Sequence, residues 1–255
     1  MVYKEVIEMP VISKEGILKV LTAFNPWWKT GVIHPDFTKK YHRFAYYEAM
    51  KRLQHKDLRR AVVLTGARRV GKTTILYQMI QTLLETGVSP QRIVFISMDH
   101  PMLKLSGLNE ILECYHENIY AEQDTYYFFD EIQYAADWDR WLKIIYDMQP
   151  RTNIVATGSA SPALVKGSTE SGTGRWTKIH VPTMSFYEYC ALIGIEDLGL
   201  DPSVSPFTFA SMTQQQRTGI MIKLSAVQNH FIRYLQVGGF PELALSRNDL
   251  MAQQV

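Results

Sequence analysis

The chain is poor in cysteine. Cys114 and Cys190 are its only two in 255 residues; they lie far apart, with no C-x-x-C pair and no spacing typical of a metal site. This argues against a disulfide-stapled or zinc-dependent fold and predicts free or buried thiols in a reducing compartment. The N-terminus, MVYKEVIEMPVISKEG, lacks the apolar core of a signal peptide, and no stretch approaches the roughly 18 consecutive apolar residues of a membrane span. A soluble, cytoplasmic chain without a membrane partner is expected. Internal repeats and low-complexity tracts are also missing.

Net charge is only +2, with 46% hydrophobic residues, enough for a large core. The charge is uneven. Trp28 to Arg60 holds nine basic residues (Lys29, Lys39, Lys40, Arg43, Lys51, Arg52, Lys56, Arg59, Arg60) against Asp36, Glu48 and Asp57, so this segment is +6 and the remainder −4. Such a run marks either a solvated helix face or a surface for DNA or an acidic protein.

The chain centres on AVVLTGARRVGKTTIL, residues 61–76. An apolar strand meets G-x-x-x-x-G-K-[ST], and a helix-compatible segment comes next, which is the context a phosphate-binding loop requires. Gly66, Ala67, Arg68, Arg69, Val70, Gly71, Lys72, Thr73 and Thr74 are the candidate nucleotide-binding residues. Backbone N–H groups and a helix N-terminus would cradle phosphate, with Lys72 on the β- and γ-phosphates and Thr73 on a magnesium ion.

A second apolar strand, Thr125 to Phe129, ends in Asp130 and Glu131. Asp130 is expected to hold the magnesium ion with Thr73, and Glu131 to orient the attacking water and take its proton. The acidic pair, and the absence of an N-K-x-D guanine-reading segment, point to ATP. Another strand, Asn153 to Ser159, brings Thr157 or Ser159 to its tip, either to sense the γ-phosphate or to cap the next helix. Arg175, after the glycine-rich ESGTGR, is the leading candidate for a charge-stabilising arginine in its own or a neighbouring subunit; Arg68 and Arg69 come next.

Periodicity places helices at 13–24, 41–55, 72–85, 108–120, 137–148, 185–193 and 213–236, and strands at 92–97 and 176–181. In the second helix Phe44, Tyr47 and Leu53 are expected on the apolar side, and Trp27 and Trp28 tucked under a neighbour. Trp138, Trp141, Leu142 and Ile145 should form a buried stripe. The expected organisation is an N-terminal helical extension (1–58), a core (59–195), a linker (196–212) and a helical segment (213–255). Residues 248–255 look like a helix beginning, so the chain is expected to stop inside a further domain.

The set LTGARRVGKTTIL, YYFFDEIQ, DWDRWLKIIYD, IVATGSAS, ESGTGRWTKIHVPTMSFYEY and YLQVGGFPEL resembles the bacterial and archaeal AAA-superfamily P-loop ATPases that carry a poorly characterised domain after the ATPase core. The resemblance spans residues 61–243. It implies a three-layer α/β fold of the additional-strand type, with a central parallel sheet of about five strands, the phosphate-loop strand central. It further implies that Lys72, Thr73, Asp130 and Glu131 carry the chemistry of ATP and Mg2+, in a nucleotide-driven switch or motor. A binding module locked by ATP is the alternative. Ala67 and Arg69 depart from the proline and glutamine expected there.

Overall fold

Four largely apolar runs and one edge segment of mixed polarity, Trp176–His180, become the strands of one all-parallel sheet; the four apolar ones are buried nearly throughout, so alternation is unnecessary in them. The computed structural model describes residues 12–55, 59–159, 174–195 and 205–246. The strands are β1 (Ala61–Gly66), β2 (Ile93–Ser97), β3 (Tyr126–Asp130), β4 (Asn153–Ser159) and β5 (Trp176–His180), in the order β2-β3-β4-β1-β5. β4 is the additional strand between β1 and β3: Leu64 pairs with Thr157, and Phe129 with Ala156. β1 is interior, with β4 and β5 on its two sides, while β4 occupies the middle of the sheet.

The helices of this part are α1 (Lys14–Phe24), α2 (Trp27–Thr30), α3 (Phe44–Leu53), α4 (Lys72–Glu85), α5 (Pro101–Leu105), α6 (Leu108–Asn118) and α7 (Trp138–Met148). Ser13 caps α1, accepting the Gly16 N–H. Gly87, at φ 88°, lies just past the end of α4, a conformation that favours glycine. On α7, Trp138, Leu142 and Ile145 are buried and Trp141 is half-buried, the expected stripe. The face of α3 is a correction. Ala45, Tyr46, Ala49 and Met50 are buried, whereas Phe44 and Tyr47 are 58% and 59% exposed. α3 packs on α4, β1 and β5. Its small alanines allow close approach, and the Tyr46 hydroxyl lies 2.7 Å from the Thr82 hydroxyl.

The N-terminal segment closes the free edge of β2. Asn25, fully buried, accepts the Phe95 N–H at 2.6 Å and donates Nδ2 to the Phe95 carbonyl at 2.8 Å, imitating a neighbouring strand. Trp27 and Trp28 both donate Nε1 to the Ile93 carbonyl, at 3.1 and 2.8 Å. Side chains thus satisfy backbone groups that an edge strand would leave open. The tryptophans are tucked away as the sequence suggests, with these hydrogen bonds fixing their depth.

By its contacts the chain forms two compact units. One holds the sheet and runs to His180 apart from residues 67–71; the other comprises residues 67–71 and those from Val181 onward. In the second unit α8 (Phe186–Leu192), α11 (Gln228–Val237) and α12 (Pro241–Leu245) pack around a core of Met184, Tyr189, Cys190, Val237, Leu243 and Ala244, to which α9 (Pro206–Ser211) and α10 (Gln214–Ser225) contribute no described residue. α8 therefore packs with C-terminal helices, although its sequence position suggested the end of the core. The helix expected over 213–236 is broken at 226–227, and α10 has no buried side chain. Gly239 is required by close approach: a Cβ there would lie 2.4 Å from the Met184 carbonyl oxygen. The Met184 N–H donates to the Gly239 carbonyl at 2.7 Å.

Residues 56–58, 160–173, 196–204 and 247–255 lie outside the described residues, and with them most of ESGTGR, much of the expected linker and the expected last helix. No helix among the described residues is long and apolar enough to cross a membrane. Cys114 and Cys190 are buried free thiols.

Asn25→Ala should strand the buried Phe95 N–H and C=O and cost about 3 kcal/mol. Denaturant unfolding monitored by tryptophan fluorescence would check this; a change below about 0.5 kcal/mol would refute the edge-closing role.

Candidate functional site

Parallel strands deliver their C-terminal ends to one side, and the polar residues of β1, β3 and β4 cluster there. Lys72, the first residue of α4, is only 4% exposed, an unusual position for a lysine. Its Nζ donates to the Gly66 carbonyl at 3.1 Å. Thr74 is half-buried on the same turn.

Asp130, at the tip of β3, is 6% exposed and shared between two hydroxyls. Thr73 Oγ1 donates to Oδ2 at 2.9 Å and Thr157 Oγ1 to Oδ1 at 2.5 Å. Burial pushes the Asp130 carboxyl above its ordinary range. The two threonine hydrogen bonds act the other way, while Glu131 and Asp99 add to the rise. A buried carboxylate with a threonine hydroxyl against it is a donor set suited to a hard, oxygen-seeking cation such as Mg2+.

Glu131 adopts the left-handed region, φ 50°, uncommon for a non-glycine residue. Its N–H donates to Thr157 Oγ1 at 3.0 Å, which fixes the turn after β3. The carboxylate turns toward the tip of β4. Its Oε2 accepts from the Ser159 N–H at 3.4 Å and from Gln133 Nε2, which also donates to Ser159 Oγ at 3.0 Å. Gln133 sits in the 3-10 turn Ile132–Tyr134. Sequence reasoning gives Gln133 no role; its place at the end of YYFFDEIQ, two residues after Glu131, is the signal that could have found it.

Two sequence assignments change. Thr157 is fully buried, its hydroxyl engaged by Asp130 and the Glu131 N–H, so in this structure it organises the two acidic residues. Arg175 lies at the opposite end of the sheet. Its carbonyl accepts the Ala61 N–H at 2.9 Å, and its guanidinium makes a two-pronged pair with Asp147 at 2.9 and 3.1 Å. That pairing raises Arg175 and lowers the Asp147 carboxyl from their ordinary values. β1 separates this end from Gly66 by five residue steps, about 17 Å, so Arg175 is not at this site within the chain.

The loop residues 67–71 are described with the second unit. Ala67, Arg68 and Arg69 are exposed and Val70 is buried. Arg69 has φ 65° and Gly71 φ 92°; a turn through positive φ of this kind is what the motif glycine permits. Arg69 Nη1 lies 3.8 Å from Glu242 Oε2, an exposed pair.

Comparison with known proteins identifies the family of the chain. Residues 58–190, just over half the chain, match the family model described as AAA domain. The uncharacterized protein MJ1637 of Methanocaldococcus jannaschii is 30% identical over 251 residues, covering 92% of this chain and 50% of that protein. An uncharacterized protein of Haemophilus influenzae is 27% identical over 141 residues, covering 54% of this chain and 34% of that one. The chain thus spans half or less of the length of these curated relatives. The solved structure of the Aeropyrum pernix ORC1 protein in complex with DNA aligns with TM-score 0.45 and 14% identity, over 72% of this chain and 56% of that one. With the family model covering the sheet and its phosphate-loop motif, this chain belongs to the AAA domain family and has a P-loop, nucleotide-binding type of core.

Proposed function

We propose that the chain binds ATP at residues 66–74 and hydrolyses its β–γ phosphoanhydride, its nucleotide state acting as a conformational switch. The observation that carries this reading is the buried Asp130 carboxylate bridged by the Thr73 and Thr157 hydroxyls beside an already buried Lys72. In this reading the backbone of 66–71 and the start of α4 bind the phosphates, and Lys72 exchanges the Gly66 carbonyl for phosphate oxygens. Thr73 and Asp130 would hold a magnesium ion, which neutralises charge on the β- and γ-phosphate oxygens when bound. Glu131 accepts a proton from water as the water oxygen bonds to the γ-phosphorus and the bond to the β-bridging oxygen breaks, leaving ADP and phosphate.

Glu131 first has to leave Gln133 and the Ser159 N–H. Its engagement there favours a second reading, in which ATP locks a conformation and turnover is slow until a partner releases the glutamate. The basic run supports a nucleic-acid or acidic-protein partner less than its composition suggests. Arg43 is buried, and Arg59 donates to the carbonyls of Thr152, Tyr146 and Gln149.

Phosphate release from Mg-ATP by the full chain, beside Glu131→Gln, tests the first reading. Turnover in the parent, and a loss of about 10²–10³-fold in a variant that still binds ATP, is expected. Equal turnover in both would contradict the role of Glu131, and no turnover in either would favour the ATP-locked reading.

The raised Asp130 carboxyl has a stability consequence. Because the fold favours its protonated form, this group's contribution is fully present below the ordinary carboxylate range and is lost as pH rises through the raised value of the folded chain. When that carboxyl is ionised, the nucleotide-free chain carries a desolvated charge. Asp130→Asn should therefore raise its thermal midpoint by about 2–4 °C, about 1 kcal/mol, while weakening nucleotide binding. A lower midpoint in differential scanning calorimetry would contradict this.

A further inference from the structure

At the N-terminal ends of β1, β3 and β4, the side of the sheet away from Gly66, lies a cavity of about 570 Å³. Arg52, Arg59, Arg60 and Arg151 line it together with Tyr126 and Asn153, and none of the described lining residues is acidic. Three of the arginines come from the basic run; Arg151 comes from the turn after α7, and only the fold brings it there. We infer that this cavity is a phosphate-binding site, separate from the nucleotide loop and independent of the proposed hydrolysis.

The four arginines differ in what they already bind. Arg59 is structural: Nε, Nη1 and Nη2 donate to the carbonyls of Thr152, Tyr146 and Gln149 at 3.0, 2.7 and 2.9 Å, and its guanidinium lies 4.2 Å from the Tyr146 ring centre. It closes the end of α7 and fixes the cavity wall. Arg52 is held loosely, 3.8 Å from Glu48, with both side chains partly exposed. Arg60 is half-buried with its Nε buried and lacking any hydrogen-bond partner. A buried guanidinium N–H left unpaired is costly and calls for an acceptor. Arg151 is exposed and forms no ion pair among the described residues.

Planar guanidinium groups at the rim of one cavity match the tetrahedral, multiply charged oxygens of phosphate better than a single carboxylate. The volume has room for several phosphate groups. Such groups reach a protein either as the backbone of a nucleic acid or as a free phosphate anion.

The test uses the full chain with a labelled single-stranded oligonucleotide of about 20 nucleotides, and separately inorganic pyrophosphate. Binding of either is expected to weaken about tenfold or more in Arg60→Gln/Arg151→Gln, with thermal midpoint and ATP affinity unchanged. Arg151→Gln alone, at an exposed position, should weaken it less and keeps the test open if the double variant folds poorly. If the oligonucleotide is the ligand, affinity should fall about twentyfold between about 50 and 200 mM salt for three phosphate contacts. Pyrophosphate binding alone would identify a free anion as the source; oligonucleotide binding would identify a nucleic-acid backbone. The inference is overturned if neither probe binds, if both arginine variants bind as the parent does, or if polyglutamate displaces the probe equally well. Loss of binding in Lys72→Ala but not in the arginine variants would also overturn it, because the probe would then occupy the nucleotide loop.

Discussion

The Asp130 carboxylate sits at the tip of β3, out of water, and each of its oxygens takes a threonine hydroxyl. Other features of the site depend on that constraint. A desolvated carboxylate is tolerated only when its lone pairs are satisfied, which engages Thr157 from β4 and Thr73 from α4. Thr157 in turn accepts the Glu131 N–H and helps hold that residue in the left-handed conformation that sends its carboxylate toward β4. β3 and β4 must therefore be neighbours in the observed register, with β4 between β3 and β1. The additional-strand order of the sheet and the placement of the two acids are one structural fact seen at two scales.

The other end of the sheet is organised by arginines acting on backbone and carboxylate oxygens. Arg59 binds three carbonyls around the end of α7, and Arg175 grips Asp147 on the same helix. The N-terminal segment does related work at the β2 edge, where Asn25 pairs with Phe95 as a strand would. What sequence periodicity presents as an appended helical extension is in part the missing neighbour of an edge strand.

Much of the fold is legible in the sequence because local chemistry and global position agree. The strand 153–159 and the helix 72–85 have the bounds their residues suggest, and the loop motif identifies its own flanks. The misses have physical causes. α3 presents small residues to its neighbours and large aromatics outward, so hydrophobicity alone chooses the wrong face. Thr157 looks like a strand-tip hydroxyl available to ligand, but the burial of Asp130 captures it. Arg175 follows a glycine-rich stretch like a mobile arginine, yet strand direction puts it at the far end of β5. Gln133 escapes because nothing in a single sequence says which nearby amide a glutamate will meet. Arg151 stands apart in the sequence from the arginines it joins.

Thr73 and Asp130 are proposed to form the metal end of a nucleotide site. ATP affinity measured with and without Mg2+, in the parent chain and in Asp130→Ala, tests it most directly. Affinity rising about tenfold or more with Mg2+ in the parent, and no such rise in the variant, is the expected result. An equal Mg2+ effect in both would contradict the account.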